Sequence, residues 1–263
     1  MASKRIEELA VMDFTHPSAF LEGQILLVDK PLGWTSFDVV NKLRYHLRRA
    51  LGIKKIKVGH AGTLDPLATG VLVICTGRAT KSIESLQSDS KTYEAGICLG
   101  ATTPCLDAEL PVDHWTDAQH LTLDAIREGA QQWTGDIQQM PPLYSAKKVD
   151  GQKAYAVARK GGEINLKPAA ITVNTFEINS AEPSLFEGHP VVQVTATIDC
   201  TKGTYIRALA RDLGKTLNVG GYLTSLKRTR SGTFELARCA PLEAILAAID
   251  AMPGTNLEKA VDL

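Results

Sequence analysis

A glycine-rich loop with a single acidic side chain constrains this chain most, because it runs directly into a continuous apolar segment. The loop reads KVGHAGTLDPLATG over residues 57–70, and VLVIC follows at residues 71–75. Consecutive apolar residues are typical of a buried strand, and the glycines let the preceding backbone approach a ligand closely. An Asp-Pro pair such as Asp65-Pro66 more often only begins a turn when it stands alone. In this setting the pair predicts a carboxylate that is held in place for chemistry.

Two stretches of the chain, one around this loop and one near the C-terminus, are rich in Lys and Arg. From Val39 to Leu64 the chain has seven Lys or Arg residues and no Asp or Glu. A second stretch, from Lys202 to Arg230, has seven basic residues and one acid, Asp212. Although the net charge of the whole chain is zero, local basic surfaces of this kind attract phosphate backbones. They indicate a polyanion such as RNA as the partner, whereas a solvated helix face is the alternative explanation for either stretch alone.

Length and composition bound the class of protein. The chain has 263 residues, of which 44% are hydrophobic, and this predicts one large globular domain or one domain with an insertion. No stretch is apolar enough to span a membrane and the N-terminus lacks the apolar part of a signal peptide, so we expect a cytoplasmic protein. The five cysteines are widely spread and show no spacing of a metal site or disulfide framework. We therefore expect no metal and no cofactor.

Hydrophobic periodicity predicts an α+β chain. One helix begins after Thr35 or Ser36, because apolar residues recur at every fourth position from Val39 to Leu51. Further helices are expected at residues 79–86, 122–133 and 241–252, and residues 202–207 are expected to open another. Strands are expected at residues 24–29, 71–75, 93–99, 171–179, 191–200 and 233–237.

Ordered motifs along the chain carry a family resemblance. The loop at residues 59–70 closely resembles the signature of the TruB-type tRNA pseudouridine synthases. Four shorter segments resemble further motifs of that family, namely DKPLGWTS at 29–36, KTY at 91–93, KGTYIR at 202–207 and LKR at 226–228. The resemblance covers about residues 24–236, and the joint occurrence of these motifs in order is far more specific than any one of them.

The resemblance implies a fold and a division of the chain. It implies the α+β catalytic fold of that family, with a mixed, largely antiparallel sheet flanked by helices. We expect an N-terminal extension at residues 1–22, a catalytic domain at 23–240 and a short helical tail at 241–263. An insertion at about 138–168 resembles a flexible thumb that becomes ordered as it closes over the RNA.

The same resemblance implies the reaction, which is the isomerisation of the uridine at position 55 in the T-loop of tRNA to pseudouridine. Asp65 matches the catalytic carboxylate, Arg207 the arginine that keeps it ionised, and Tyr93 the tyrosine that stacks on the target base. His60 resembles a wedge that fills the space left when the base is flipped out of the RNA. The remaining substrate-binding positions implied by the resemblance are Lys30, Tyr205, Leu226 and Lys81.

One departure from the family concerns RNA binding. Bacterial members commonly carry a C-terminal RNA-binding domain of the PUA type, and residues 241–263 are expected to be too short to form one. We therefore expect phosphate contacts from the two basic stretches to dominate binding to the T arm of tRNA, so that affinity falls steeply with added salt. The chain is expected to act as a monomer, with no membrane and no protein partner.

Three other classes remain open from the residues alone. A glycosidase or nucleoside hydrolase also acts on a glycosidic bond, but it ordinarily uses two carboxylates or a metal, and the loop of Asp65 offers one acid. An RNA-binding module without catalysis would not need that carboxylate. The related archaeal and eukaryotic synthases share similar motifs but work inside guide-RNA particles.

Overall fold

The structure is a computed structural model that describes residues 12–145, 148–149, 152–153, 157, 162 and 165–252. It forms two compact units. The first contains the described parts of Met1–Asp89 and Lys227–Leu263, and the second contains those of Ser90–Leu226. The α-helices among the described residues are α1 (Ala19–Glu22), α2 (Ser36–Leu51), α3 (Ile83–Ser88), α4 (Leu123–Gln131), α5 (Ile206–Thr216) and α6 (Leu242–Asp250).

The strands are short except where they form the main sheets. In chain order they are β1 (Ile25–Lys30), β2 (Val58–His60), β3 (Ala68–Thr76), β4 (Lys91–Leu99), β5 (Ala101–Thr102), β6 (His114–Trp115), β7 (Gly135–Gln139), β8 (Lys148–Val149), β9 (Gln152–Lys153), β10 (Ala169–Phe186), β11 (His189–Cys200), β12 (Gly221–Ser231), β13 (Phe234–Glu235) and β14 (Ala240–Pro241).

The first unit is built around β1 and β3. These strands are antiparallel, with Val28 opposite Leu72, while β14 pairs with β1 in parallel and β2 pairs with β3 in antiparallel fashion. Ile25, Val71 and other side chains of β1 and β3 form a fully buried cluster. The part of β12 that belongs to this unit lies against β3 and pairs with β13. The loop of Asp65 is therefore the connection between two adjacent strands, β2 and β3.

Helix α2 begins where the sequence predicted. Thr35 is its N-cap: its hydroxyl accepts a hydrogen bond from the backbone N–H of Asp38, and the Asp38 carboxylate accepts one from the backbone N–H of Thr35. This reciprocal arrangement satisfies two N–H groups that the helix start leaves free. The predicted apolar stripe is confirmed, because Val39, Leu43, Leu47 and Leu51 are all fully buried.

The second unit contains an antiparallel sheet in the order β4–β11–β10–β7. Alternation along β4 places Tyr93, Ala95 and Ile97 on the buried side, as predicted. The initial part of β12 lies beside β4, since Gly96 packs closely against Thr224 and Ser225. Helix α4 packs on β10 and against α5. The expected α+β class, with a mixed and largely antiparallel pattern of pairing, is confirmed.

Some predicted elements needed correction. The strand expected at residues 233–237 contains only two strand residues, β13, while the long strand β12 before it was missed. Lys227, Arg228 and Arg230 interrupt the apolar pattern of β12, and β7 was missed because its residues are mostly polar. The helix expected at residues 79–86 is a 3₁₀ helix at Gly77–Ser82 followed by α3.

Two further expectations meet the limits of the described residues. The predicted insertion at 138–168 and the tail at 241–263 lie partly outside them. None of the helices that the structure describes combines the length and the apolar character needed to cross a bilayer.

Candidate active site

Lys30 anchors the loop of Asp65 from the end of β1. Its side chain is fully buried, and its Nζ donates hydrogen bonds to the carbonyl oxygens of Pro31 (2.9 Å), Trp34 (2.5 Å) and Pro66 (3.3 Å). Burial lowers the pKa of Lys30 to about 8, and the nearby Arg228 also lowers it, while the Asp65 carboxylate acts in the opposite direction. A buried ammonium with three carbonyl partners thus fixes the backbone immediately after Asp65.

Ser36, the first residue of α2, anchors the backbone immediately before Asp65. Its hydroxyl is buried, accepts a hydrogen bond from the backbone N–H of Leu64 at 2.8 Å and donates one to the Leu64 carbonyl oxygen at 3.1 Å. The well-capped start of α2 therefore holds both polar backbone groups of the residue that precedes the carboxylate.

Arg228 anchors the glycine-rich part of the loop. Only 1% of this residue is exposed, and its guanidinium donates to the carbonyl oxygens of Val71 (2.7 Å), Gly62 (3.1 Å) and Thr63 (3.5 Å). Gly70 has a φ of +95°, and a Cβ there would overlap the backbone of Arg228. Glycine at this position lets β12 and β3 approach closely enough for the guanidinium to reach the loop.

Asp65 is the one acid of the loop and is half-buried. Its carbonyl oxygen accepts a hydrogen bond from the backbone N–H of Ala68 at 3.0 Å, which closes a turn. Together with the bonds made by Lys30, Ser36 and Arg228, this turn fixes the main chain on both sides of the carboxylate. The backbone next to Asp65 is therefore fixed by hydrogen bonds before and after this residue.

His60, at the end of β2, belongs to the same unit. Burial lowers the pKa of its imidazole, and the positive charge of Arg228 lowers it further. The ring is therefore neutral at pH 7. Its buried Nδ1 has no hydrogen-bond partner among the residues that the structure describes. A neutral, flat ring with an unsatisfied nitrogen is suited to contact with a base.

Lys81 also lies in the first unit but is not part of the anchored loop. It is exposed in the 3₁₀ helix Gly77–Ser82. An exposed ammonium can reach a phosphate but does not help to position Asp65.

In the second unit, Arg207 lies in the first turn of α5 and is only 6% exposed. Its Nη1 donates to the carbonyl oxygen of Cys105 and its Nη2 to that of Tyr144, both at 2.9 Å. The Asp107 carboxylate lies 3.4 Å from Nη1 and forms an ion pair with it. The guanidinium is thus held in place by oxygen atoms inside the unit.

The other predicted residues of the second unit are placed as follows. Tyr93 is 8% exposed on β4, where it lies opposite Ile198 of β11. Tyr205 is half-buried and is the N-cap residue of α5. Leu226 is half-buried in β12.

The two basic stretches differ in their exposure. In the first, every basic residue except the half-buried Arg44 is exposed, namely Lys42, Arg48, Arg49, Lys54, Lys55 and Lys57. In the second, only Lys202, Lys215 and Lys227 are exposed. Arg207 and Arg228, the two buried arginines of that stretch, do not face solvent. Both guanidiniums bind backbone carbonyls inside the protein instead.

Sequence reasoning missed the roles of three buried residues, Ser36 and Arg228 in the first unit and Asp107 in the second. Ser36 was considered only as a helix cap and Arg228 only as part of a motif, and Asp107 was not singled out. A buried serine or arginine has no local sequence signal when its partners are backbone groups far along the chain. Among the described residues no group of His, Cys, Asp or Glu is arranged to hold a metal ion.

Comparison with known protein families gives two adjoining matches. Residues 48–206 match the description "TruB family pseudouridylate synthase (N terminal domain)". Residues 207–262 match "tRNA pseudouridylate synthase B C-terminal domain". The two matches together cover most of the chain.

Individual relatives agree with these matches. The chain is 50% identical over 225 residues to the tRNA pseudouridine synthase B of Phocaeicola vulgatus. The matched region covers 86% of this chain and 92% of that relative. It is 45% identical to the protein of the same name from Paenarthrobacter aurescens, over 89% of this chain and 76% of that one. Among solved structures it resembles one titled "Crystal Structure of a Cbf5-Nop10-Gar1 Complex", with a TM-score of 0.61, 25% identity and coverage of 92% of this chain and 61% of that chain.

Proposed function

Since this chain belongs to the TruB family of pseudouridine synthases, we propose that it isomerises a uridine of tRNA to pseudouridine. The chain covers 92% of the length of the Phocaeicola vulgatus relative, which is named a tRNA pseudouridine synthase B. The substrate we assign is the uridine at position 55, in the T-loop of the T arm.

The reaction needs a fixed carboxylate and a base brought out of its stack. The bond between ribose C1′ and uracil N1 breaks, the base turns, and C1′ joins uracil C5. The proton on C5 leaves to solvent and N1 gains one, so that the mass of the RNA is unchanged. Because uracil is a poor leaving group in an unstrained nucleotide, the enzyme must hold a reactive group against the sugar or the ring.

The observation that carries the proposal is the anchoring of the Asp65 loop. Three buried side chains, Lys30, Ser36 and Arg228, bind the backbone on both sides of this one half-buried acid. We assign Asp65 as the catalytic carboxylate. A group held so firmly loses little freedom when the substrate arrives, which is how positioning lowers a barrier.

Two residues of the second unit complete the proposed chemistry. We assign to the rigidly held guanidinium of Arg207 the role of keeping the catalytic carboxylate ionised, since a nearby cation lowers the pKa of an acid. We assign Tyr93 the role of stacking on the target base. The ring is buried on β4 and offers a flat amphipathic surface.

The remaining assignments concern the RNA. We propose that the neutral ring of His60 fills the space left by the flipped base and offsets part of a cost of about a few kcal/mol. Lys30 and Tyr205 support the site, Leu226 forms an apolar wall, and Lys81 contacts a phosphate. The segment at about 138–168 acts as an insertion that orders on the RNA. The extension at 1–22 and the tail at 241–263 flank the catalytic domain at 23–240.

We further propose that the enzyme acts in the cytoplasm as a monomer without a protein partner. Sedimentation of the protein at micromolar concentration, alone and with tRNA, tests the monomer directly. A mass twice that of the chain would contradict it.

Release of tritium from tRNA that carries the label at C5 of uridine tests the proposed function. We expect label release by the wild type and none by Asp65→Asn, which keeps the shape of the side chain but removes its charge. Glu128→Gln, at an exposed acid of α4, is a control for the loss of one negative charge. Free uracil among the products would indicate a hydrolase, and equal release by wild type and Asp65→Asn would remove Asp65 from the mechanism.

A further inference from the structure

The start of helix α5 is not held by a cap of its own. Its N-cap residue is Tyr205, whose side chain makes no capping hydrogen bond. Helix N-caps are usually Ser, Thr, Asp or Asn, because these side chains accept a bond from the first turn. Arg207 lies in that first turn, so whatever fixes Tyr205 also fixes the backbone from which the Arg207 guanidinium extends.

Gln139, the last residue of β7, holds Tyr205 at two points. Its Oε1 accepts a hydrogen bond from the Tyr205 backbone N–H at 2.8 Å, and its Nε2 donates one to the Tyr205 carbonyl oxygen at 3.1 Å. Gln139 is 1% exposed. Two bonds from one planar amide define both the distance and the orientation of the backbone that they bind.

The chain that follows Gln139 makes two more bonds to the same helix. Arg211 donates from Nη2 to the carbonyl oxygen of Met140, and Arg207 donates from Nη2 to that of Tyr144, both at 2.9 Å. The guanidinium of Arg211 is itself held by Asp212, with 2.7 Å between Nε and Oδ1. Tyr205, Arg207 and Arg211 therefore connect helix α5 to residues 139–144. Of these hydrogen bonds between described residues, those of Gln139 reach the backbone on the helix side.

We propose that Gln139 is a positioning residue that sets the orientation of Arg207 through the backbone of Tyr205. Its amide binds the backbone of Tyr205, so it acts by fixing where the guanidinium lies. This assignment rests on the proposed function, since it takes Arg207 as the group that keeps the catalytic carboxylate ionised.

Gln139→Met tests the assignment, because methionine has nearly the same length and volume but neither donates nor accepts the two bonds. Gln138→Met is the matched control, since Gln138 is the preceding residue of β7 and is exposed. We expect kcat of Gln139→Met at saturating tRNA to fall about 10- to 100-fold, with KM changed less than about twofold. The acid limb of its kcat profile should move to higher pH, since a displaced guanidinium holds the carboxylate ionised less well.

Gln139→Glu gives a second, chemically specific readout. A protonated carboxyl can replace both bonds of the amide, whereas an ionised one cannot donate to the Tyr205 carbonyl oxygen. We expect kcat near that of the wild type at the low end of the pH range and a progressive loss as the pH rises through the raised pKa of the buried carboxyl. The wild type should show no such loss.

The outcomes separate this inference from the function on which it rests. A wild type that releases no tritium overturns both. An active wild type overturns the inference alone if Gln139→Met keeps kcat within about twofold, if only KM rises, or if Gln139→Glu has the pH profile of the wild type. Failure of both variants to give a cooperative thermal transition would make Gln139 a purely structural residue and would also overturn it.

Discussion

The ammonium nitrogen of Lys30 lies 3.3 Å from the carbonyl oxygen of Pro66 and donates a hydrogen bond to it. Pro66 directly follows Asp65, so a fully buried cation fixes the main chain beside the acid. The same ammonium binds the carbonyl oxygens of Pro31 and Trp34, in the segment that leads to α2. One side chain thus ties together two loops of the first unit, and several consequences can be measured.

Replacing Lys30 with methionine should loosen this loop. Lys30→Met keeps the apolar length of the side chain but leaves the carbonyl oxygens of Pro31, Trp34 and Pro66 without their donor. We expect the free energy of unfolding to fall by about 2–4 kcal/mol in urea titrations, because buried acceptors lose a charged partner. Tritium release should fall at least about tenfold. Lys215→Met, at an exposed position, should change stability by less than about 0.5 kcal/mol.

The lowered pKa of Lys30 makes stability depend on pH in a defined direction. The pKa is about 8 in the folded protein, against an ordinary value of 10.5. Between these values the unfolded chain binds more protons than the folded protein, so the free energy of unfolding rises with pH. We expect the stability advantage of the wild type over Lys30→Met to widen from pH 8 to pH 10 and to stay level below pH 7. An advantage that narrowed over the upper interval would contradict the burial of a charged ammonium.

The planar shape of the Arg228 guanidinium should matter as much as its charge. Arg228→Lys keeps the charge, but an ammonium cannot reach the carbonyl oxygens of Gly62, Thr63 and Val71 in the fork that a guanidinium provides. We expect a loss of about 1–3 kcal/mol in the free energy of unfolding and a lower rate of tritium release. Arg238→Lys, at an exposed arginine of the same unit, is the control and should behave as the wild type.

A methyl group at Gly70 should separate β3 from β12. Gly70→Ala adds a Cβ that overlaps the carbonyl oxygen of Arg228, at a φ of +95°. Gly188→Ala is a matched control, since Gly188 has a φ of +81° but no neighbour within 4 Å of the added atom. We expect about 1 kcal/mol of loss for the control, from backbone strain alone. For Gly70→Ala the free energy of unfolding should fall by at least about 3 kcal/mol. Equal melting temperatures for the two variants would contradict the close contact between Gly70 and the backbone of Arg228.

Binding of tRNA should weaken with salt mainly through the first basic stretch. Lys54 and Lys55 are exposed and adjacent, so Lys54→Ala/Lys55→Ala removes two potential phosphate contacts. We expect the slope of log affinity against log salt concentration to become shallower by about 1–2. Arg127→Ala, on α4, should leave the slope unchanged. An unchanged slope for the double variant would show that Lys54 and Lys55 do not contact phosphates of the RNA.

The sequence predicted those parts of the fold and site whose signals are local. The cap at Thr35, the apolar stripe of α2 and the alternation along β4 depend on neighbouring residues, and all three were confirmed. Lys30 and Arg207 were selected through short motifs that resemble a family. The roles assigned to both residues remain predictions.

The rest could not be predicted because it depends on contacts between distant parts of the chain. Arg228 meets Gly62 across 166 positions and Gln139 meets Tyr205 across 66, and both pairs involve backbone groups that every residue carries. The ion pair of Arg207 with Asp107 is hidden for a similar reason, since Asp107 is one of many acids in the middle of the chain. Strand β12 was missed because its buried arginine reads as a surface residue.

The hydrogen bonds described above hold the Asp65 loop through its main chain, at the carbonyls of Gly62, Thr63 and Pro66 and at both polar backbone groups of Leu64. The side chain of Thr63 is exposed and makes none of these hydrogen bonds. A cysteine introduced at position 63 can therefore carry a fluorophore two residues from Asp65 while the main-chain hydrogen bonds of the loop are kept. Such a dye would let stopped-flow mixing follow the arrival of RNA at the site in real time, separately from the chemical step.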